Sequence, residues 1–376
     1  MIIFLCVILS FHVTAHADEG SNGYIDDFIG AIDEDSFSNL IDNDFGIFDD
    51  SDVFSTIKNV ATGNFSFDYS DLLSFLMSLV GISISDLLSL LITIVAIGII
   101  YSILDAVKSK NSGESVGKIV NFACITAVIV VVGKTTIDMF NACAKTLDAT
   151  TNVINTIMPI ALTIMSAVGG GKTASVFQPA VVVLTSGLFN LISNILLPML
   201  IVGFSFGIVG NLSSELKLGK TAEFLSSSVK WLFGIGFFLL SAFLSVQGIT
   251  ASTLDGISVR SAKFTIGKFV PVIGGYLSEG FNLVISGGLL VKNALGYTTL
   301  LLLAITLLPI IVKVGIYTLT LRLASACVEP LGNKTISNLL TSVANTSALT
   351  GGIMTGTAFL SFIFILILIS TGNVVL

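Results

Sequence analysis

Gly171-Lys172-Thr173 has the residue types that end a phosphate-binding loop, in which backbone N–H groups cradle phosphate and the lysine supplies charge. That pattern needs a glycine five residues before Gly171, and Ser166 stands there. The segments around it read as apolar helix, not as a strand, so the triplet reads as a cytoplasmic loop. Glu279 is the most informative single charge, because its neighbours from Phe269 to Val291 are otherwise uncharged. On a straight helix Lys268 would lie about 16 Å away and Lys292 about 19 Å, so neither pairs with it in place. It must therefore meet another helix, reach water, or sit protonated. A pore or contact residue is one reading, and a headgroup-level carboxylate on an interfacial helix is the other. Both histidines, His12 and His16, lie in the first 17 residues, and Cys124, Cys143 and Cys327 form no C-x-x-C pair. No Ser-His-Asp set, zinc spacing, carboxylate pair or nucleotide fingerprint is present. No enzyme activity, cofactor, metal or nucleic-acid partner is expected.

Glu279 belongs to a stretch, 253–296, that concentrates unusual residues in an apolar half of the chain. It carries Asp255, Arg260, Lys263, Lys268 and Lys292, with Pro271, Gly274 and Gly275 at its middle. Charges in hydrocarbon are kept where they face protein or water. Broken backbone at membrane depth persists only when buried in protein or lining a cavity. The stretch is therefore expected to be a broken, partly wet element between ordinary spanning helices, and Asp255, Arg260, Lys263, Pro271, Gly274, Gly275, Glu279 and Lys292 are its candidate functional residues. Glu329 and Pro330 join them from a second motif further on.

The elements that must position these residues follow from composition. Of 376 residues, 53% are hydrophobic and 11% charged, where a soluble domain carries about 25% charge. With several apolar runs near 20 residues, the chain reads as an all-α polytopic membrane protein with about seven spans, six to eight being allowed, and broken or re-entrant helices. Residues 1–17 read as a signal peptide ending in Ala15-His16-Ala17, with an uncleaved anchor as the alternative. Residues 18–71 hold 14 of the 24 acidic residues and one base, Lys58. The segment 18–84 reads as extracytoplasmic, with short amphipathic helices or as a disordered acidic tail. Residues 85–372 form the polytopic domain. The loop after the first span carries Lys108, Lys110 and Lys118, which places it in the cytoplasm.

Within that domain, 71–80 is expected to lie on the membrane surface before a first span at 86–104. A second span at 119–140 and a third at 153–168, broken by Pro159, are separated by an outer loop with Lys145 and Asp148. The uncharged run 176–212 would be about 55 Å long as one helix, so it reads as two passes turning near 194–198. Residues 231–250 span next, then 294–312, interrupted by Pro309, and finally 347–370. Gly203-x-x-x-Gly207 and Gly352-x-x-x-Gly356 read as close-packing positions within the chain.

Several motifs resemble one family, the stage III sporulation protein AE family of endospore-forming bacteria. They are Thr253-Leu254-Asp255-Gly256-Ile257-Ser258-Val259, Ala262-Lys263, Phe269-Val270-Pro271-Val272-Ile273-Gly274-Gly275, Lys292-Asn293-Ala294-Leu295-Gly296 and Glu329-Pro330-Leu331-Gly332, with Met158-Pro159 and Phe177-Gln178-Pro179 upstream. The likeness runs from about residue 71 to the C-terminus. It implies a membrane subunit of a channel or secretion-like complex that links mother cell and forespore, placed in the membrane that engulfs the forespore. Its implied partners are the other proteins of the same operon, namely an ATPase, ring-forming proteins and small membrane subunits, together with a forespore membrane partner. The family has no assigned catalytic residues. The rival classes are a solute transporter working alone, suggested by the broken helices and Glu279, and an assembly scaffold without a conduction path.

Overall fold

The computed structural model describes residue 57 and residues 69–111, 114–167, 171–212, 218–269 and 274–370, with the backbone alone over 69–76, 107–111, 114–116, 171–173, 247–269 and 274–284 and at scattered single positions. Among these residues all regular structure is helical. The helices are α1 (Tyr69–Asn111), α2 (Glu114–Ala167), α3 (Gly171–Val182), α4 (Leu197–Leu212), α5 (Gly219–Phe269), α6 (Gly274–Val328) and α7 (Lys334–Ser370). Six helical segments are long and apolar enough to cross a membrane: Leu87–Leu104, Ile119–Ala167, Gly187–Asn211, Gly219–Val246, Ile285–Leu331 and Lys334–Ser370. A helix satisfies its own backbone, which is why such apolar sequence adopts it in lipid.

Four expected interruptions are absent. The outer loop between a second and a third span is replaced by one 54-residue helix, α2. Its inner face stays apolar through the polar segment, with Phe140, Cys143, Leu147 and Ile154 all buried at helical spacing. Lys145 and Asp148 stand on the opposite face and so do not end the helix. Pro159 and Pro309 lie inside α2 and α6 without ending them. The surface helix expected at 71–80 is likewise continuous with the first span in α1.

The run 176–212 does not turn back. α3 leads into two π-helical segments, Val183–Phe189 and Ile192–Leu196, and on into α4, with helical backbone angles at Asn190 and Leu197. The wide second segment ends just before Pro198, whose missing N–H and bulky ring conflict with ordinary α register at that point. Asn194 Nδ2 donates to Asn190 Oδ1 across it. The whole run lies antiparallel to α5: Leu188 and Leu191 approach Gly236, Leu225 approaches Gly203, and Leu218 approaches Gly210. Gly207 is a close-packing position, meeting Ser342 of α7, whereas a Cβ on Gly203 would make only ordinary contact with Leu225. Gly356 likewise admits Phe233 of α5, whereas Gly352 faces open space.

α6 and α7 form a long antiparallel hairpin, the most extensive helix–helix contact among the described residues, and α2 and α1 pack on it. α6 is the central helix, with Leu295, Leu303, Leu307, Val314 and Leu321 fully buried.

Candidate functional site

The hairpin carries both ends of the motif set. At its closed end Glu329–Leu331 forms a turn of 3-10 helix, and Gly332 closes it at φ 91°, a left-handed conformation that glycine adopts without Cβ strain. Gly332 N–H donates to Glu329 O at 3.2 Å. Asn333 then starts α7: its Oδ1 accepts from Ile336 N–H at 3.0 Å, as an N-cap side chain does. Its Nδ2 donates to Asn121 Oδ1 on α2 at 3.3 Å, and the residue is buried. A Cβ on Gly98 of α1 would sit 3.1 Å from Val328 and 3.2 Å from Leu331. This turn is therefore clamped against α1 and α2, while Glu329 and Pro330 face outward.

Along the middle of the hairpin runs a buried hydroxyl seam. Tyr317 Oη lies 2.7 Å from Thr136 Oγ1 on α2, whose hydroxyl donates to Val132 O at 2.7 Å. Thr318 and Ser347 hydroxyls are 2.9 Å apart, and Ser347 faces Met139 Sδ at 3.4 Å. Ser325 reaches both Ser337 and Thr341 at 2.9 Å. In an apolar bundle such contacts fix helix register, each contributing about 0.6 kcal/mol.

At the open end, Lys292 is buried at 1% exposure and its Nζ donates to Ile369 O at 3.0 Å. Ile369 is the penultimate residue of α7, so its carbonyl has no N–H four residues on within the helix. An ammonium there satisfies that carbonyl and complements the negative end of the helix dipole. One turn along the same face of α6, a Cβ on Gly296 would overlap the Ile369 side chain. Asn293 Oδ1 is buried without a hydrogen-bond partner. Thus Lys292-Asn293-Ala294-Leu295-Gly296 is the seat for the end of α7.

The other candidates fall apart from these two ends. Asp255, Arg260 and Lys263 lie on the last part of α5, Gly274 and Gly275 begin α6, and Glu279 follows in its second turn. Their side chains, and Pro271 altogether, lie outside the described residues. Residues 1–56, on which the expected signal peptide and most of the acidic segment fall, lie outside them too. Gly171-Lys172-Thr173 opens α3 as its first turn and follows helix α2, not a strand. Among the described residues no three His, Cys, Asp or Glu side chains gather to hold a metal. Sequence reasoning missed the hydroxyl seam. Its trace is the density of Ser and Thr from Thr298 to Ser361, which apolar counting treats as neutral.

The family model for stage III sporulation protein AE matches residues 51–372, which covers the turn, the seam and the Lys292 seat. The chain belongs to the stage III sporulation protein AE family. Among curated relatives of the family, the stage III sporulation protein AE of Bacillus subtilis (strain 168) is 25% identical over 322 residues, covering 85% of this chain and 80% of that one. No solved structure matches. In this chain Glu329-Pro330-Leu331-Gly332 forms the turn packed against α1, and Lys292 and Gly296 meet the end of α7 at Ile369.

Proposed function

We propose that this protein is a non-enzymatic integral membrane subunit of a channel or secretion-like complex joining mother cell and forespore, required for forespore development. It sits in the mother-cell-derived membrane around the forespore, with residues 18–84 on the far side from the mother-cell cytoplasm. It works with the ATPase, ring-forming and small membrane proteins of its operon and with a forespore membrane partner. The observation that carries this reading is family membership over 51–372 in a chain of long apolar helices. The polar side chains of the hairpin and α2 support it: Tyr317, Thr318, Ser347 and Asn333 with Thr136 and Asn121 hold helices to each other, which is what a rigid membrane subunit requires.

The test is affinity purification of the tagged protein from sporulating cells after crosslinking. The other operon products should co-purify, and deletion of the gene should stop development of engulfed forespores. Purification alone, together with normal spore yield on deletion, would discard the proposal. A carrier acting alone is the second reading, favoured by the buried Lys292 charge between spanning helices. It requires solute uptake into vesicles containing the purified chain and nothing else.

A further inference from the structure

Every exposed residue of α2 from Asp138 to Ser166 is polar except Pro159. The outermost line runs through Asn141, Asp148, Asn152, Asn155 and Thr163. From end to end it covers about 42 Å at the rise of an α-helix, more than a hydrocarbon core of about 30 Å. Among the described residues the chain offers no side-chain partner to Asp138, Asn141, Lys145, Asp148, Asn152 or Asn155. Thr163 donates back to Pro159 O at 2.8 Å.

On α5 the exposed charges Lys220, Glu223 and Lys230 give way at Trp231 to an apolar face with Ile235, Phe238 and Leu239. An aromatic ring at such a change marks the edge of the hydrocarbon. α7 relates the two helices in depth. Its Asn333 meets Asn121 and its Ser347 meets Met139, so α2 runs alongside it in the same direction. Phe237 of α5 stacks on Phe359 at 6.2 Å, which lies about 18 Å along α7 from Ser347. The same distance along α2 from Met139 ends beside Asn152. By this scale Lys134 and Lys145 are level with Lys220 and Lys230, at the edge. Asn152 and Asn155 are level with Phe238 and Leu239, inside it. At one depth, then, α5 suits hydrocarbon and α2 does not.

We infer that the outer face of α2 lines an aqueous path through the membrane; this deepens the membrane-subunit reading above and rests on it. Polar groups at membrane depth persist where they meet water or protein. The core of a protein interface is depleted in charge and enriched in aromatic residues, Met and Arg. From Asp138 to Ser166 the exposed positions of α2 hold three charges and none of those residues. Water is therefore the partner this face fits. The face lies on the outside of the bundle, so this chain supplies one wall and the complex proposed above the rest. Charges stand only at the mouth, ending with Asp148, and the deeper side chains Asn152, Asn155, Thr163 and Ser166 are neutral. Such a wall admits small hydrated solutes without selecting the sign of their charge.

The experiment uses the full chain in open membranes from sporulating cells, with Cys327→Ser removing the exposed native thiol; Cys124 and Cys143 are buried. Single cysteines replace Asn152 and Asn155 on α2, and Phe238 and Leu239 on α5. Each is treated with an anionic and a cationic thiosulfonate reagent, and the total is read after denaturation. A thiol reacts as its thiolate, which forms in water, so the α2 pair should react at least about tenfold faster than the α5 pair. The two reagents should differ by less than about threefold at Asn155→Cys, as a neutral wall requires. Slow labelling of both α2 cysteines overturns the inference, whether lipid or another protein covers them. Equally fast labelling of Phe238→Cys overturns it too, since that depth would then lie outside the hydrocarbon. A strong preference for one reagent overturns the absence of sign selection. As a check independent of thiols, Asn155→Asp should accumulate in the membrane like the parent, while Phe238→Asp should fall severalfold; the reverse order refutes the assignment of faces. Co-purification is read from the same membranes. Partners retained without α2 labelling discards this inference alone, and labelling without partners discards the complex alone.

Discussion

Gly296→Ala probes the seat that joins the α6 and α7 ends. The added Cβ falls on Ile369 Cγ1 and 2.9 Å from its Cδ1, and both residues are buried, so neither side chain can swing into solvent. Overpacking of this kind costs about 1–3 kcal/mol. Replacing a helical glycine by alanine returns about 1 kcal/mol of helix propensity. If Ile369 shifts, the Lys292–Ile369 hydrogen bond goes with it, a loss of about 1.5–3 kcal/mol for a charged donor. The net expectation is a destabilisation of about 2–4 kcal/mol. Ile369→Ala alone should cost about 2–5 kcal/mol by leaving a cavity. In the double variant the alanine methyl occupies space vacated by isoleucine, so it should be about 1–3 kcal/mol more stable than the sum of the singles. Unfolding in detergent, followed by a fluorogenic dye that reacts with the buried Cys124 and Cys143 as the bundle opens, measures all three. Gly296→Ala equal to or more stable than the parent, or strict additivity in the double variant, would mean that Gly296 and Ile369 do not share a contact.

Asn333→Ala removes the cap of α7 and the bridge to Asn121, and should cost about 1–2 kcal/mol by the same assay; Asn121→Ala on top should add little. Tyr317→Phe strips the hydroxyl from the Thr136 and Val132 O contacts and should cost about 1 kcal/mol, an effect that shrinks, with the Val132 contact remaining, when it is measured in a Thr136→Val background. Glu279→Leu should abolish forespore development while the protein still accumulates in the membrane; normal spore counts would assign Glu279 to the headgroup level. Lys172→Ala, in the first turn of α3, should leave spore yield near that of the parent; complete loss at normal protein level would point to a phosphate ligand there.

The helical, membrane-spanning character of the chain was readable from composition, because hydropathy is local and in lipid only a self-satisfied backbone is stable. The special motifs could also be picked out, since Pro, Gly and isolated charges stand out against apolar sequence. Their roles could not. Lys292 stood out as an intramembrane candidate, and only the fold shows that its ammonium donates to Ile369 O, 77 residues away in sequence. Glu329-Pro330 stood out likewise, and the fold places it in a turn closed by Gly332 N–H on Glu329 O. Polarity marked true boundaries after 104 and after 212, but not everywhere. At 141–152 the charges sit on one face of a helix whose other face remains core, and only packing reveals which face is which. The proline and polar residues near 194–198 suggested a turn, but winding to π register carries the backbone through. Sequence alone determined what must be helix and what must avoid water, because both depend on each residue and its near neighbours. Only the tertiary structure decided which polar groups face inward to Thr136, Tyr317 and Ser347 and which, like Lys134 and Asp148, face outward, because the direction of a side chain is set by the neighbour its helix packs against.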